Sequence, residues 1–123
     1  MDNPAQNAGS APVRVAKFNI SDAPLSKLYP EKTIELGDVI DRRSGGTISI
    51  GYARYKSGEA NDWKVTYDEA LVITKGNFTV VYDGEDYTAA LGEVIYLKKD
   101  TTIFYRANTD VELVYVTYPH WRP

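Results

Sequence analysis

Glu69 stands in the run Tyr67-Asp68-Glu69-Ala70-Leu71-Val72-Ile73-Thr74, a carboxylate set among β-forming residues. Side chains of a strand alternate between its faces, so Tyr67, Glu69, Leu71 and Ile73 share one side, and Asp68, Ala70, Val72 and Thr74 the other. The first side is the more apolar and is expected to face a core, carrying the acid and the Tyr67 phenol with it. A carboxylate in apolar surroundings is costly to ionise; it is either held by hydrogen bonds or kept protonated with a raised pKa. Two readings follow. Glu69 is a structural acid bonded to a neighbouring strand or to Tyr67, or it is a proton donor and acceptor in catalysis. In the second reading Glu69 transfers a proton, as a lyase, isomerase or hydratase requires.

Other chemistries lack their residues. The chain has no cysteine, which removes disulfides, a thiol nucleophile and thiolate metal sites. Its one histidine, His120, lies between Pro119 and Trp121 near the end of the sequence; it is expected at the surface rather than in catalysis, and no Ser-His-Asp set can be assembled around Glu69. Ser44-Gly45-Gly46 is a turn with no Lys-Ser/Thr after it, so it is not a phosphate loop. The 14 basic and 17 acidic residues are spread along the chain and leave a formal charge of -3, which gives no footprint for nucleic acid or an anionic membrane. A small-molecule ligand or a protein partner is expected instead.

The elements that must position Glu69 are short strands. At 123 residues the chain is expected to form one domain over 13–123, preceded by a polar, disordered tail, Met1 to Pro12. Val13 to Ile20 reads as a strand, Leu25 to Tyr29 as one helical turn stopped by Pro30, and Lys32 to Leu36 and Asp38 to Arg42 as weak strands on either side of Gly37. Thr47 to Tyr55 is a stronger strand, with Ile48, Ile50, Tyr52 and Arg54 on one face and Ser49, Gly51, Ala53 and Tyr55 on the other. The small residues of the second face line a cavity with Tyr55 at its mouth, or simply make room for a bulky neighbour. Lys56 to Asp62 is a polar loop. The strand through Glu69 and a second strand, Phe78 to Tyr82, are expected to form a hairpin about Gly76-Asn77. Asp83 to Asp86 makes an antiparallel turn, and strands follow at Tyr87 to Ala90, Glu93 to Lys98, Thr102 to Ala107 and Val111 to Tyr118. This spacing predicts an all-β sandwich or barrel.

In its order of parts the chain resembles the cupins. Gly58, Glu69 and Gly76 fit the frame of the first cupin motif, with six residues between the last two, and the second motif falls on Gly92, Lys98, Asp100 and Ile103. The block Trp63 to Glu69, the strand and turn Val72 to Gly76, and the ending Val114 to Trp121 resemble the ethanolamine-utilisation (EutQ-like) cupins over about Gly51 to Trp121. The chain departs from the cupin pattern at Lys98 and Asp100, where the family has Pro and Gly. The resemblance implies a jelly-roll β-barrel (a double-stranded β-helix) with Glu69 where other cupins hold a metal. It further implies Tyr67, Ile103, Tyr105 and Ala107 pointing inward, and one of Tyr52 and Tyr55 with them, so that Tyr67, Tyr105 or Lys64 is expected to steady the negative charge that develops as Glu69 transfers a proton. Trp63 and Lys64 belong to the same block and are counted with Tyr52, Tyr55 and Ile103 as ligand-binding candidates. The positions of the family's metal-binding histidines fall on Asp62 to Thr66 and Ile103, none of them histidine, so the remaining Glu69 cannot make a transition-metal site. A metal-independent cavity for a small polar organic molecule is expected, with no cofactor. The resemblance also implies two alternatives, acetate-kinase-like phosphoryl transfer and a non-catalytic scaffold or metabolite-binding module. Cupins commonly pair through sheet edges and N-terminal strands, which implies a homodimer through Val13 to Ile20 and neighbouring strands. With no signal peptide and no run long enough to cross a membrane, the expected location is cytoplasmic.

Overall fold

The computed structural model describes residues 11–122. The expected tail Met1 to Pro12 therefore lies outside the described residues except for Ala11 and Pro12.

Ten strands follow one another: β1 (Ser26–Lys27), β2 (Glu35–Ile40), β3 (Ser49–Tyr55), β4 (Ala60–Val65), β5 (Asp68–Lys75), β6 (Asn77–Tyr82), β7 (Glu85–Ala90), β8 (Val94–Leu97), β9 (Thr101–Ala107) and β10 (Val111–Tyr118). They form two antiparallel sheets, one in the order β1-β2-β3-β10-β5-β8 and one in the order β4-β9-β6-β7. This is the jelly roll that the cupin frame implied. The strands alternate as half-buried strands should: β3, β5, β9 and β10 bury every second residue. Their inward side chains meet between the sheets, where Phe78, Ile34, Ile73, Val65, Val80 and Val111 are almost fully buried.

Four expectations near the ends and corners are corrected. Val13 to Ile20 forms no strand. Its apolar residues change phase between Val15 and Phe18, so no single face exists to bury, and Asn19 caps a 3-10 turn over Ile20–Asp22, its side chain accepting from the Ser21 N–H at 2.9 Å. Leu25 to Tyr29 is not helical. Pro24 and Pro30 hold the segment extended, five residues cannot nucleate a helix, and β1 pairs instead with β2. The two weak strands about Gly37 are one strand, β2. A Cβ on Gly37 would stand 2.6 Å from the Pro24 carbonyl oxygen, so the glycine permits close passage rather than a break.

The fourth correction concerns the hairpin about Gly76. β5 and β6 lie in different sheets. Gly76, at φ 84°, turns the chain from one sheet into the other, and the corner is held by the β9–β10 turn: the Asn77 N–H donates to Thr109 Oγ1 at 3.0 Å and the Asn108 N–H to the Asn77 carbonyl at 3.0 Å. A true two-residue hairpin turn occurs one strand later, where Asp83 (φ 52°) and Gly84 (φ 79°) join β6 to β7. Asp100 adopts φ 68°, the conformation that a glycine would supply at the family's position, and its N–H donates to the Val65 carbonyl at 2.8 Å. Among the described residues no helix is long and apolar enough to cross a membrane.

Candidate functional site

Alternation carries Glu69 into the barrel. On β5 it is 7% exposed, in register with Thr117 of β10 on one side and Leu97 of β8 on the other. Tyr105 reaches it from the opposite sheet: β9 alternates Ile103, Tyr105 and Ala107 inward, and the Tyr105 hydroxyl donates to Glu69 Oε1 at 3.0 Å. This bond spans the space between the sheets. Among the described residues Tyr105 is the only hydrogen-bond partner of the Glu69 carboxyl.

Around the pair lies a cavity of about 50 Å³, room for a few non-hydrogen atoms. Leu28, Leu36, Ala53, Leu71 and Leu113 give it aliphatic walls, and Phe78 and Tyr55 pack edge to face at 5.0 Å on its inner side. Trp63, Tyr67, Tyr115 and Trp121 complete the lining; the polar side chains other than phenols and indoles are Asn61 and Glu69. Among the described residues no lysine or arginine lines it.

The polar tips of these rings are tied back into the protein. The Tyr55 hydroxyl donates to Asn61 Oδ1 at 3.0 Å, and Trp63 Nε1 donates to the Tyr67 hydroxyl at 2.7 Å. The Tyr115 hydroxyl and Trp121 Nε1, the latter at 2.9 Å, both donate to Asp38 Oδ1. Arg122 covers Trp121 at 4.0 Å from the ring centroid and stands 3.7 Å from Asp38. Trp121 in turn contacts Trp63 and Tyr115 edge to face at 6.1 and 6.0 Å. The residues after β10 thus form one wall of the cavity.

Burial sets the electrostatics. With little water around it, the Glu69 carboxyl is pushed up to about 7 from an ordinary 4.5, against the Tyr105 hydrogen bond, which favours the charged form. Burial likewise raises the phenols of Tyr55, Tyr67, Tyr105 and Tyr115, with the neighbouring Glu69 charge adding to each. They are hydrogen-bond donors, not bases, at neutral pH. Of these groups, Glu69 is the one whose raised pKa lies near neutrality. Thr117, beside it across the β10–β5 pair, has the one buried side-chain oxygen left without a partner among the described residues.

Of the residues singled out from sequence, Glu69, Tyr67, Tyr105, Tyr55 and Trp63 converge on this cavity. Tyr55 is not at a mouth; it is 5% exposed and packs on Phe78. Ile103 points inward and is buried, opposite Trp63 in register, as a core residue outside the cavity lining. Two candidates are corrected. Tyr52 lies on the outer face of β3, its hydroxyl donating to the Phe18 carbonyl at 3.2 Å. Lys64 is on the outer face of β4 beside Asp62 and Thr102, because inward positions of that strand fall on Asn61, Trp63 and Val65. Asn61, Tyr115 and Trp121 join the site beyond the expected residues: Asn61 continues the Trp63 and Val65 alternation back into the expected loop, Tyr115 alternates with Leu113, and Trp121 follows the last strand. His120 is half-buried, 2.7 Å from Ser49 Oγ through Nδ1 and 2.9 Å from the Gly46 carbonyl through Nε2. Because a carbonyl only accepts, Nε2 carries the hydrogen, and His120 is not among the residues that line the cavity.

The jelly roll of two antiparallel sheets is the cupin fold. Solved cupins share the fold at low identity, among them an RmlC-like cupin from Shewanella frigidimarina at 10% identity and TM-score 0.70, over 87% of this chain and 92% of that one. Within that class the chain belongs to the family described as ethanolamine utilisation protein EutQ, whose family model matches residues 4–122. A Clostridioides difficile relative named acetate kinase EutQ is 33% identical over 113 residues, 91% of this chain and 71% of the relative. The Salmonella typhimurium protein of the same name is 26% identical over 90 residues, and the chain spans about two fifths of its length, 39%. A Rhizobium leguminosarum structure of unknown function superposes with TM-score 0.74 at 31% identity, over 88% of this chain and all of that one.

The donor set does not fit the metal that many cupins carry. Among the described residues no three His, Cys, Asp or Glu side chains converge, and around Glu69 stand phenols, two indoles, the Asn61 amide, the Thr117 hydroxyl and hydrocarbon, none of them an imidazole, thiolate or second carboxylate.

Proposed function

We propose that the barrel binds a small polar organic molecule without a metal and that Glu69, hydrogen-bonded to Tyr105, exchanges a proton with it. The observation that carries this reading is the Glu69–Tyr105 bond at 3.0 Å inside an apolar, aromatic cavity, with the carboxyl held near 7. A group so poised is available both as acid and as base at neutral pH, which suits lyase or isomerase chemistry. Tyr105 and Tyr67 are the donors that would steady negative charge developing on the ligand. The cavity volume restricts the ligand to a few non-hydrogen atoms unless Trp63 and Trp121 part.

Deuterium incorporation into a panel of small carbonyl and hydroxy compounds in D2O, followed by proton NMR, tests the reading. Glu69→Gln is expected to abolish exchange while leaving the fold intact; undiminished exchange would remove Glu69 from the mechanism. Incubation with iron, nickel, manganese and zinc, followed by elemental analysis, is expected to leave metal well below one equivalent.

A second reading rests on the name of the Clostridioides difficile relative, acetate kinase EutQ. Acetyl phosphate formed by the purified chain from acetate and ATP would favour it. Phosphate would have to be held outside this cavity, whose lining has no cation. A stable protein partner, with no turnover of any kind, would favour a non-catalytic module.

A further inference from the structure

The charge and surface of the cavity select among small molecules. Its lining offers one group able to carry a charge at neutral pH, the Glu69 carboxyl, and no lysine or arginine to receive an anion. Burying an anion beside a carboxylate in apolar surroundings is doubly unfavourable, from lost hydration and from like-charge repulsion. A cation meets the reverse conditions. Aromatic walls attract it through the negative faces of their rings, most strongly where water is excluded. Trp63, Tyr67, Tyr105 and Trp121 line it; the two indole N–H groups are spent on Tyr67 and Asp38, Tyr105 donates to Glu69 itself, and the Tyr67 hydroxyl accepts from Trp63.

We propose that the cavity takes a small organic monocation, an alkylammonium of a few non-hydrogen atoms, with the Glu69 carboxylate as its counter-charge and the surrounding rings as its cage. The inference rests on the reading of this cavity as a small-molecule site and narrows it to one charge class. The Glu69 oxygen not engaged by Tyr105 accepts an N–H of the ammonium. The other charged group near these walls is Asp38, which faces Tyr115 and Trp121 from behind and is matched by Arg122 at 3.7 Å, so it contributes little net field. The remaining titratable groups facing Glu69 are the phenols of Tyr55, Tyr67, Tyr105 and Tyr115, all protonated at neutral pH.

Proton competition gives the binding a signature. Protonated Glu69 offers no counter-charge, so cation affinity falls as pH drops below the carboxyl's pKa. With that value at about 7, affinity rises about tenfold between pH 6 and pH 8 and then levels. An alkylammonium, like the lysine side chain, stays charged across this range.

The test titrates the full chain with ethylammonium, ethanol and acetate, near-equal in size and carrying positive, no and negative charge. The indole N–H resonances of Trp63 and Trp121, the two tryptophans of the chain, report occupancy. Saturable shifts are expected for ethylammonium, with at least tenfold weaker ethanol binding, none by acetate, and the pH dependence above. Glu69→Gln is expected to weaken ethylammonium at least tenfold and to abolish the pH dependence of its binding. Should that variant fail to fold, Tyr105→Phe serves, because losing the donor raises the Glu69 pKa and moves the pH midpoint of cation binding upward. Acetate or ethanol binding as tightly as ethylammonium, or cation binding indifferent to pH, overturns the charge assignment while the small-molecule reading survives. If none of the three probes moves either indole, both fall.

Discussion

Replacing Glu69 by glutamine should change how stability depends on pH. The folded state holds the carboxyl at about 7, whereas unfolding returns it to an ordinary 4.5. Below 4.5 the group is protonated in both states and contributes no difference. Between 4.5 and 7 the unfolded chain releases the proton and the folded chain keeps it, so stability falls as pH rises, by about 1.4 kcal/mol per pH unit. Above 7 both states are ionised and the full penalty, about 3 kcal/mol, is present. Glutamine keeps the shape and the acceptor for Tyr105 but cannot ionise. Any fixed effect of the substitution is the same at every pH, so the informative quantity is the change in the stability difference. Urea unfolding of wild type and Glu69→Gln from pH 4.5 to pH 8 should show the variant gaining about 3 kcal/mol relative to wild type. A difference that stays constant across that range would falsify the claim that burial raises this carboxyl.

Three further outcomes are expected. Trp121→Ala removes a half-buried wall, costs about 2 kcal/mol, and admits water, so the Glu69 pKa falls toward 4.5; a shallower pH dependence of stability measures it. Gly51→Ala places a methyl group against the Tyr115 ring and hydroxyl and 2.6 Å from the Gly37 carbonyl, and should lower urea stability by about 3 kcal/mol; a neutral outcome would mean that Tyr115 can move off Asp38 without loss. We propose that the chain forms a homodimer over the β8 edge, where Val94 and Tyr96 remain 59% and 65% exposed; light scattering should give about twice the 13.8 kDa of the chain, and Tyr96→Lys should return the mass to one copy.

The sequence made the barrel legible wherever alternation was unbroken. β3, β5, β9 and β10 each run through seven or eight alternating residues; period two alone put Glu69 on the inward face of β5, and the cupin register put Tyr105 opposite it. It failed where backbone partners decide. Val13 to Ile20 is rich in apolar residues, yet they do not share a face, and Asn19 is better used as a cap. The corner at Gly76 reads locally like a hairpin turn; only the distant β9–β10 turn, which supplies Thr109 and Asn108, shows that β6 departs for the other sheet. Lys64 and Tyr52 were drawn to the site by their neighbours in sequence, although the period that placed Trp63 and Tyr55 inside places them outside. Trp121 and Asp38 meet across 83 positions, a contact that no local pattern encodes.

The most direct measurement is a carbon-13 NMR titration of the Glu69 side-chain carboxyl in the uniformly labelled chain, assigned through its loss in Glu69→Gln. A midpoint near 7, moved upward in Tyr105→Phe, is the predicted result. A midpoint at the ordinary 4.5 would contradict the account, because Glu69 would then be a permanently ionised structural acid with no proton to exchange at neutral pH.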